Sequence, residues 1–353
     1  MKEPPFFEID GSFGEGGGQI LRTSITLSVI LNKPIKIKNI RSKRNNPGLK
    51  PQHITAVKLL ADMCEAEVQN LQVGATWITF KPGQKLRSSL KLDVGTAGSI
   101  PLILIAAIPA ASLNGVGCEL EIKGGTDVKW SPTIDYFQYL VLPAFKFLGM
   151  DCTIDVAKRG YFPRGGGIVK AYIKPLNKLK PLNLVSRSNS SISGISICSN
   201  LPMSVAERQI KSALERLSEQ SVRLSNIVID VADAITPGSS ITLYSVSKGS
   251  FLGADNIGER GKPAEKVGKQ VAQLFLKEYF SEAPIDMHLG DILATPLFLA
   301  AGESKFKVSS LTPHMSTNLQ VASLFTGRKY YIDRHNNGAT TITIELDSTN
   351  RPV

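Results

Sequence analysis

Apolar residues recur along this chain with two different periods, and the order in which the periods alternate is itself repeated. From Pro34 the segment PIKIKNI alternates apolar and polar residues as a half-buried strand does. After a polar turn, Ile54, Val57, Leu60, Met63 and Cys64 fall three and four residues apart in QHITAVKLLADMCEA, which predicts a helix with one buried face. EVQNLQV and TWITFKP predict two further strands. The order returns near Cys118, as strand (GCELEIKGG), helix (IDYFQYLVLPAFKFLGM), strand (DCTIDVA) and a strand ending at KAYIKP. It returns again near Ser193, as SISGISICS, the helix SVAERQIKSALERLSEQ, NIVIDVA and ITLYSV. Each unit should form a small sheet with helices on one face. Two further helical runs, Gln19 to Leu31 and Ser99 to Ala111, would supply second helices to the first two units.

The fold class expected is therefore α/β, of the α+β type: a large domain of repeated small-sheet-plus-two-helix units with a smaller α/β domain inserted. KPLNKLKPLNLVSRSNSS, with two Lys-Pro steps and a serine-rich end, marks one boundary, and Ala283-Pro284 marks another. These place the large domain in residues 1–184 and 284–353 and the insert in 185–283, with the module near Ser193 as the inserted one. Near the end, Asn337-Gly338 between alternating segments signals a tight hairpin. A length of 353 residues suits about two domains.

Composition narrows the function classes. The chain is 42% hydrophobic and 20% charged, as folded soluble proteins are. MKEPPFFEID lacks the apolar run of a signal peptide. The most apolar stretch, Ile100 to Ala111, holds Pro109 and falls short of the ~20 residues that span a bilayer, so a cytoplasmic protein without a membrane partner is expected. Cys64, Cys118, Cys152 and Cys198 form no C-x-x-C pair, which disfavours a thiolate zinc site and predicts buried reduced thiols. A net charge of +11 favours anionic partners.

DGSFGEGGGQILRTS, from Asp10 to Ser24, is the most unusual segment. Its glycines free backbone N–H groups to face a ligand, and the helix that follows adds a positive dipole, a combination suited to phosphate. The spacing is that of neither a P-loop nor a dinucleotide fingerprint. Glu15 would repel a phosphate there unless a metal ion lay between them, so it reads as a metal ligand or as a solvated loop acid. Gln19 and Arg22 stand one helical turn apart and can face one anion. Arg41, Lys43 and Arg44, with Gln52 and His53 beyond them, read as a phosphate site or as a solvated face. Lys129, Arg159 and Arg164 add cations to the Gly-rich turns GGTDVKWSP and RGYFPRGGG. His314 lies at an element end, where a neutral imidazole could attack phosphorus or simply be structural.

Taken together and in order, GEGGGQILR, IRSKRNNPGLKPQH, GTAGSI, GGTDVKWSPTIDY, RGYFPRGGG, GADNIGERGKPAEKVG and HMSTN resemble the RNA 3'-terminal phosphate cyclase family across nearly the whole chain. The resemblance implies three repeated α/β units of the initiation-factor-like type with one inserted domain. It also implies ATP-dependent conversion of an RNA 3'-phosphate to a 2',3'-cyclic phosphate, with ATP, a divalent ion (Mg or Mn) and a 3'-phosphorylated RNA as partners. By position, His314 is the implied nucleophile that takes up AMP, Glu15 the metal ligand, and Gln19, Arg22, Arg44 and Gln52 the phosphate and nucleotide contacts. Pro132 would pack on the adenine, and Asp291 would lie near the nucleotide. Relatives often read YLADQ around that aspartate where this chain reads HLGDI, so His288 would stack on the base and Ile292 replaces an amide, as Ile105 does in the helix after GTAGSI. The alternative within the same resemblance is a cyclase-like RNA-processing or ribosome-assembly factor without cyclase activity, a role in which relatives lack the histidine.

Overall fold

The computed structural model describes residues 5–14, 16–188 and 190–346. In the first unit, β1 (Phe7–Asp10), α1 (Gly18–Leu31), β2 (Ile35–Lys38), α2 (Pro51–Cys64), β3 (Glu67–Gln69) and β4 (Ile78–Lys81) form a sheet of order β1-β2-β4-β3. The strands β1 and β2 are parallel, while β4 runs antiparallel to both of its neighbours. In β2, Ile35 and Ile37 are fully buried and the alternating lysines point away, the period-2 pattern expected of a sheet with one covered face.

The second unit repeats this topology. It contains β5 (Ser89–Asp93), α3 (Ile100–Leu113), β6 (Cys118–Gly124), α4 (Ile134–Tyr136), a π-helical turn (Phe137–Val141), α5 (Leu142–Phe147), β7 (Cys152–Lys158) and β8 (Gly167–Ile173), in the order β5-β6-β8-β7. The sequence pattern missed β1 and β5, the opening strands of these units. Both alternate, as FEID and SLKLD, but over only four and five residues, with Ile9 alone buried in β1 and no residue buried in β5.

The third repeat is not the segment that begins near Ser193. It opens with the two-residue β9 (Asn183–Leu184), inside the stretch that reads as a linker. It resumes with α8 (Met287–Leu297), β14 (Ser304–Val308), α9 (Pro313–Thr326), β15 (Tyr330–Arg334) and β16 (Thr340–Ile344). Its order, β9-β14-β16-β15, reproduces the other two, with β9 parallel to β14. The intervening segment holds β10 (Ser193–Ser199), α6 (Ser204–Ser218), β11 (Asn226–Val231), β12 (Gly238–Ser247), β13 (Ser250–Ile257) and α7 (Ala264–Phe280), in the order β11-β10-β12-β13. There the first strand is interior and the second helix comes last, so it is a different fold that shares only the opening strand–helix–strand pattern. The hairpin turn between β15 and β16 is wider than two residues: His335 and Ala339 close it, with Gly338 at φ +85°.

One apolar cluster runs through all three repeats. Within it α1 packs against α2, α3 and α9, and α8 packs against α9. The intervening segment has its own cluster, with Ile210, Leu217, Leu243, Val271 and Phe275 among its members. All four cysteines are buried and free, and burial pushes the Cys118 thiol up to about 11. No described helix is long and apolar enough to cross a membrane.

Candidate active site

The Gly-rich loop between β1 and α1 is wedged between two other elements. Gly14 and Gly16 take left-handed φ of +55° and +57°, a region that side chains other than glycine enter only at a cost. A Cβ on Gly18 would lie 2.2 Å from His53 Nε2, so the imidazole fills the space that glycine leaves. His53 Nδ1 accepts from the Lys50 backbone N–H at 3.1 Å. Burial first, then the charges of Arg22, Arg41 and Lys50, pull its pKa down to about 3 and keep it neutral. The Arg44 guanidinium approaches Gly17, the residue that caps α1 without a side chain, and Lys43 Nζ donates to the Gly14 carbonyl at 2.9 Å. On its other side the loop meets Thr317, one turn beyond His314 on α9. Glu15 lies outside the described residues.

Three helices are joined by one polar network behind this loop. Arg22 Nη2 donates to Gln19 Oε1 at 2.7 Å, Gln19 Nε2 donates to Asn318 Oδ1 at 3.1 Å, and Asn318 Nδ2 donates to the Asp291 carbonyl at 2.8 Å. The Thr23 hydroxyl adds a second donor to Asn318 Oδ1 at 2.8 Å. Asp291 also accepts from the Thr312 hydroxyl, which in turn caps α9 by accepting from Met315 N at 2.9 Å. The second residue of that helix is His314, which is exposed. Asn318 orients Gln19 and, through it, Arg22; sequence reasoning assigned it no role, although it closes the HMSTN string. Burial pulls the Arg22 guanidinium down to about 10, and among the described residues no carboxylate forms a salt bridge with it. A half-buried cation in that state gains from an anionic ligand.

A cavity of about 360 Å³ gathers six of the expected residues. Gln19 and Arg22 come from α1, Pro132 from the loop before α4, His288 and Asp291 from α8, and His314 from α9. The remaining wall is Leu102, Ile105 and Ile292 on one side and Trp130, Ser131, Tyr136 and Asp255 on the other. Arg44 and Gln52 do not line it: Arg44 lies at Gly17, and Gln52 lies against Gly98 of the GTAGSI loop. The arrangement therefore offers an apolar slot, a half-buried cation and an exposed imidazole at a helix N-terminus. Such a combination fits a nucleotide whose phosphates point to the helix ends. Among the described residues no three His, Cys, Asp or Glu side chains gather to hold a metal ion.

Other charged residues prove to be structural. Arg159, expected to raise the odds of an anion site, is buried, with Nη2 at 2.7 Å from Asp135 Oδ1 and Nη1 at 3.3 Å from Asp127 Oδ2. Lys129 pairs with Glu259 at 2.5 Å, and Arg41 donates to the carbonyls of Asn46 and Gly48, so these cations are spent on the fold.

Asp286, which the sequence reading passed over, caps α8 and supports the cavity floor. It accepts from Tyr136 Oη at 2.7 Å, His288 N at 3.0 Å, Leu289 N at 2.9 Å and Gly253 N at 3.0 Å. An aspartate just ahead of an apolar run is an N-cap signal, and here it was available in PIDMHLG. Burial raises the pKa of both Asp286 and its neighbour Glu278. Glu278 holds the proton of the two, since four donors favour the ionised form of Asp286.

Glu278 is pushed up to about 7, from 4.5 for the ordinary side chain, first by burial and then by Asp286. The folded state thus binds a proton that the unfolded state has lost between those pH values. Its contribution to stability is fully present below pH 4.5 and is lost as pH rises through about 7. Glu278→Gln should flatten the fall in stability between pH 5 and pH 8 by on the order of 1–3 kcal/mol. Urea midpoints at the two pH values measure this, and an unchanged slope would assign the proton elsewhere.

A sequence profile for RNA 3'-terminal phosphate cyclase matches residues 13–332. Among curated relatives, the RNA 3'-terminal phosphate cyclase of Pyrococcus furiosus is 43% identical over 325 residues, 92% of this chain and 94% of that protein. The protein of the same name from Staphylothermus marinus is 45% identical over 326 residues, 90% of this chain and 91% of its own. That from Pyrobaculum aerophilum is 41% identical over 346 residues, 97% of this chain and 99% of its own. With matches of this extent at this identity, and with six of the residues singled out by resemblance lining one cavity, the chain belongs to the RNA 3'-terminal phosphate cyclase family.

Proposed function

We propose that this protein is an enzyme that converts the 3'-terminal phosphate of RNA to a 2',3'-cyclic phosphate at the expense of ATP, with His314 as the residue that carries AMP. The observation that supports this reading is the convergence of His314, Arg22, Gln19, Pro132, His288 and Asp291 from different repeats on one cavity. In the first step an imidazole nitrogen of His314 attacks the α-phosphorus, the bond to the β-phosphate oxygen breaks, and pyrophosphate leaves. An oxygen of the RNA 3'-phosphate then attacks the same phosphorus and the P–N bond breaks, leaving AMP on the RNA end. Finally the ribose 2'-hydroxyl attacks the 3'-phosphate, loses its proton and expels AMP as the ring closes.

What the chain's own residues contribute is position and charge. Arg22 is a half-buried guanidinium with no salt bridge to a carboxylate among the described residues, a state suited to a transferring phosphoryl group. Pro132 and His288 would hold the adenine between them, with Ile105 and Ile292 giving that slot an apolar side. Arg44 and Gln52, at the glycine loops outside the cavity, would serve the outer phosphates or the RNA end. A divalent ion, Mg or Mn, belongs to this proposal as the counter-ion of the triphosphate. Mg²⁺ ordinarily keeps waters and substrate phosphate oxygens around it and needs few protein ligands.

An RNA oligonucleotide with a 3'-phosphate tests the reading. Incubation with the protein, ATP and a divalent ion should make its end resistant to phosphatase, and omission of ATP should leave it sensitive. An end that stays sensitive under all metal and nucleotide conditions would overturn the activity and leave the non-catalytic alternative.

A further inference from the structure

Trp130 stands where the catalytic cavity opens. It lines that cavity together with Ser131 and Asp255, and the same three residues line a second depression of about 280 Å³ on the outer side, where Lys129, Asn256 and Glu259 join them. The two spaces thus share a wall, and the indole belongs to it. It is 95% exposed, the most exposed of the large hydrophobic residues in the described chain. Its backbone takes φ +67°, a conformation that a bulky residue rarely adopts. The fold therefore accepts both an exposed indole and an unfavourable backbone at one residue, and recovers no burial from either.

The loop is held on both sides of this residue. Lys129 Nζ pairs with Glu259 at 2.5 Å, the Ser131 hydroxyl donates to the Val128 carbonyl at 3.1 Å, and Thr133 N donates to Asp255 Oδ2 at 2.5 Å. These bonds hold the loop on either side of Trp130, so the backbone that presents the indole needs little ordering when a flat ligand binds. A space of 360 Å³ that receives a nucleoside triphosphate has no room for a second nucleobase. An RNA end that brings its 3'-phosphate to His314 must leave its own base at the mouth.

We infer that Trp130 is the stacking platform for the 3'-terminal nucleobase of the RNA substrate. This rests on the function proposed above and adds a residue that acts on RNA and not on ATP. Stacking on an aromatic face is sequence-tolerant and contributes on the order of tenfold in affinity per base, which suits an end-processing site.

The two half-reactions separate the possibilities. Trp130→Ala should raise the KM for 3'-phosphorylated RNA on the order of tenfold or more, and Trp130→Phe should restore most of the loss. Labelling of the protein by α-labelled ATP, which involves no RNA, should fall by much less than the KM for RNA rises. The chain has only two tryptophans, so a Trp77→Phe background leaves Trp130 as the sole indole reporter. In that background its emission should be quenched on titration with a 3'-phosphorylated oligonucleotide. An unchanged KM or an unmoved emission overturns the inference. Loss of ATP labelling in Trp130→Ala also overturns it, by assigning the indole to the nucleotide. If wild type takes up no label yet RNA quenches Trp130, the cyclase reading falls and the stacking platform stands.

Discussion

Replacing His314 with alanine is expected to abolish transfer of label from α-labelled ATP to the protein and to lower cyclisation by at least about a thousandfold, because no other group can take the place of a missing nucleophile. In wild type the label should be acid-labile and alkali-stable, as a phosphorus–nitrogen bond is and a phosphate ester is not. The variant separates chemistry from folding cleanly. The imidazole is exposed, and the helix cap beneath it is made by Thr312 and Met315 N, which the substitution leaves in place. Stability should therefore stay within about 0.5 kcal/mol of wild type. Equal labelling of the alanine variant would move the covalent step to another residue, and with it the role of the whole α9 N-terminus.

The strings that hold His314, and Gln19 and Arg22 one turn apart on α1, are local and could be picked out by eye, and the structure brings all three to one cavity. Partners that meet only after folding were not legible. Asn318 accepts from Thr23 across 295 positions, and Asp286 from Tyr136 across 150, so no window of sequence joins them. Arg159 shows the reverse error. Its charge is visible in RGYFPRGGG, but the acids that neutralise it, Asp127 and Asp135, belong to a motif read separately. The fold divides in the same way. Helices with one apolar face, such as α2 and α6, declared themselves by period, whereas β1 and β5 alternate over only four and five residues, too short a run to stand out. The third repeat was hidden by its two-residue first strand and by the insertion that parts that strand from α8.

The glycine loops around the site place backbone against backbone, and what holds two of them in register is the buried Arg159 cluster. Arg159 Nη1 and Nη2 donate to both oxygens of Asp135 at 2.8 and 2.7 Å, while the Thr126 hydroxyl donates to Asp127 Oδ2 at 2.6 Å. Burial works against the guanidinium, but the two carboxylates outweigh it and keep it charged. Burial likewise raises the Asp135 pKa, with Arg159 opposing. Arg159→Ala leaves two buried acids without a counter-charge, and the expected cost is about 3–5 kcal/mol, a large share of the ~5–15 kcal/mol by which proteins are ordinarily stable. Removing the cation lets the Asp135 pKa rise further. A carboxyl raised in the folded state favours folding at low pH and loses that contribution as pH rises, so the deficit should be smaller at pH 5 than at pH 8. Should the single variant fail to fold, Arg159→Ala with Asp135→Asn is expected to recover part of the loss, since it removes one of the two unpaired charges. Denaturant midpoints for both variants at the two pH values test this. A deficit below about 1 kcal/mol, or one that grows as pH falls, would mean that the cluster does not hold the loops by charge. In that case the site's register must come from the apolar packing of α1 against α3 and α9.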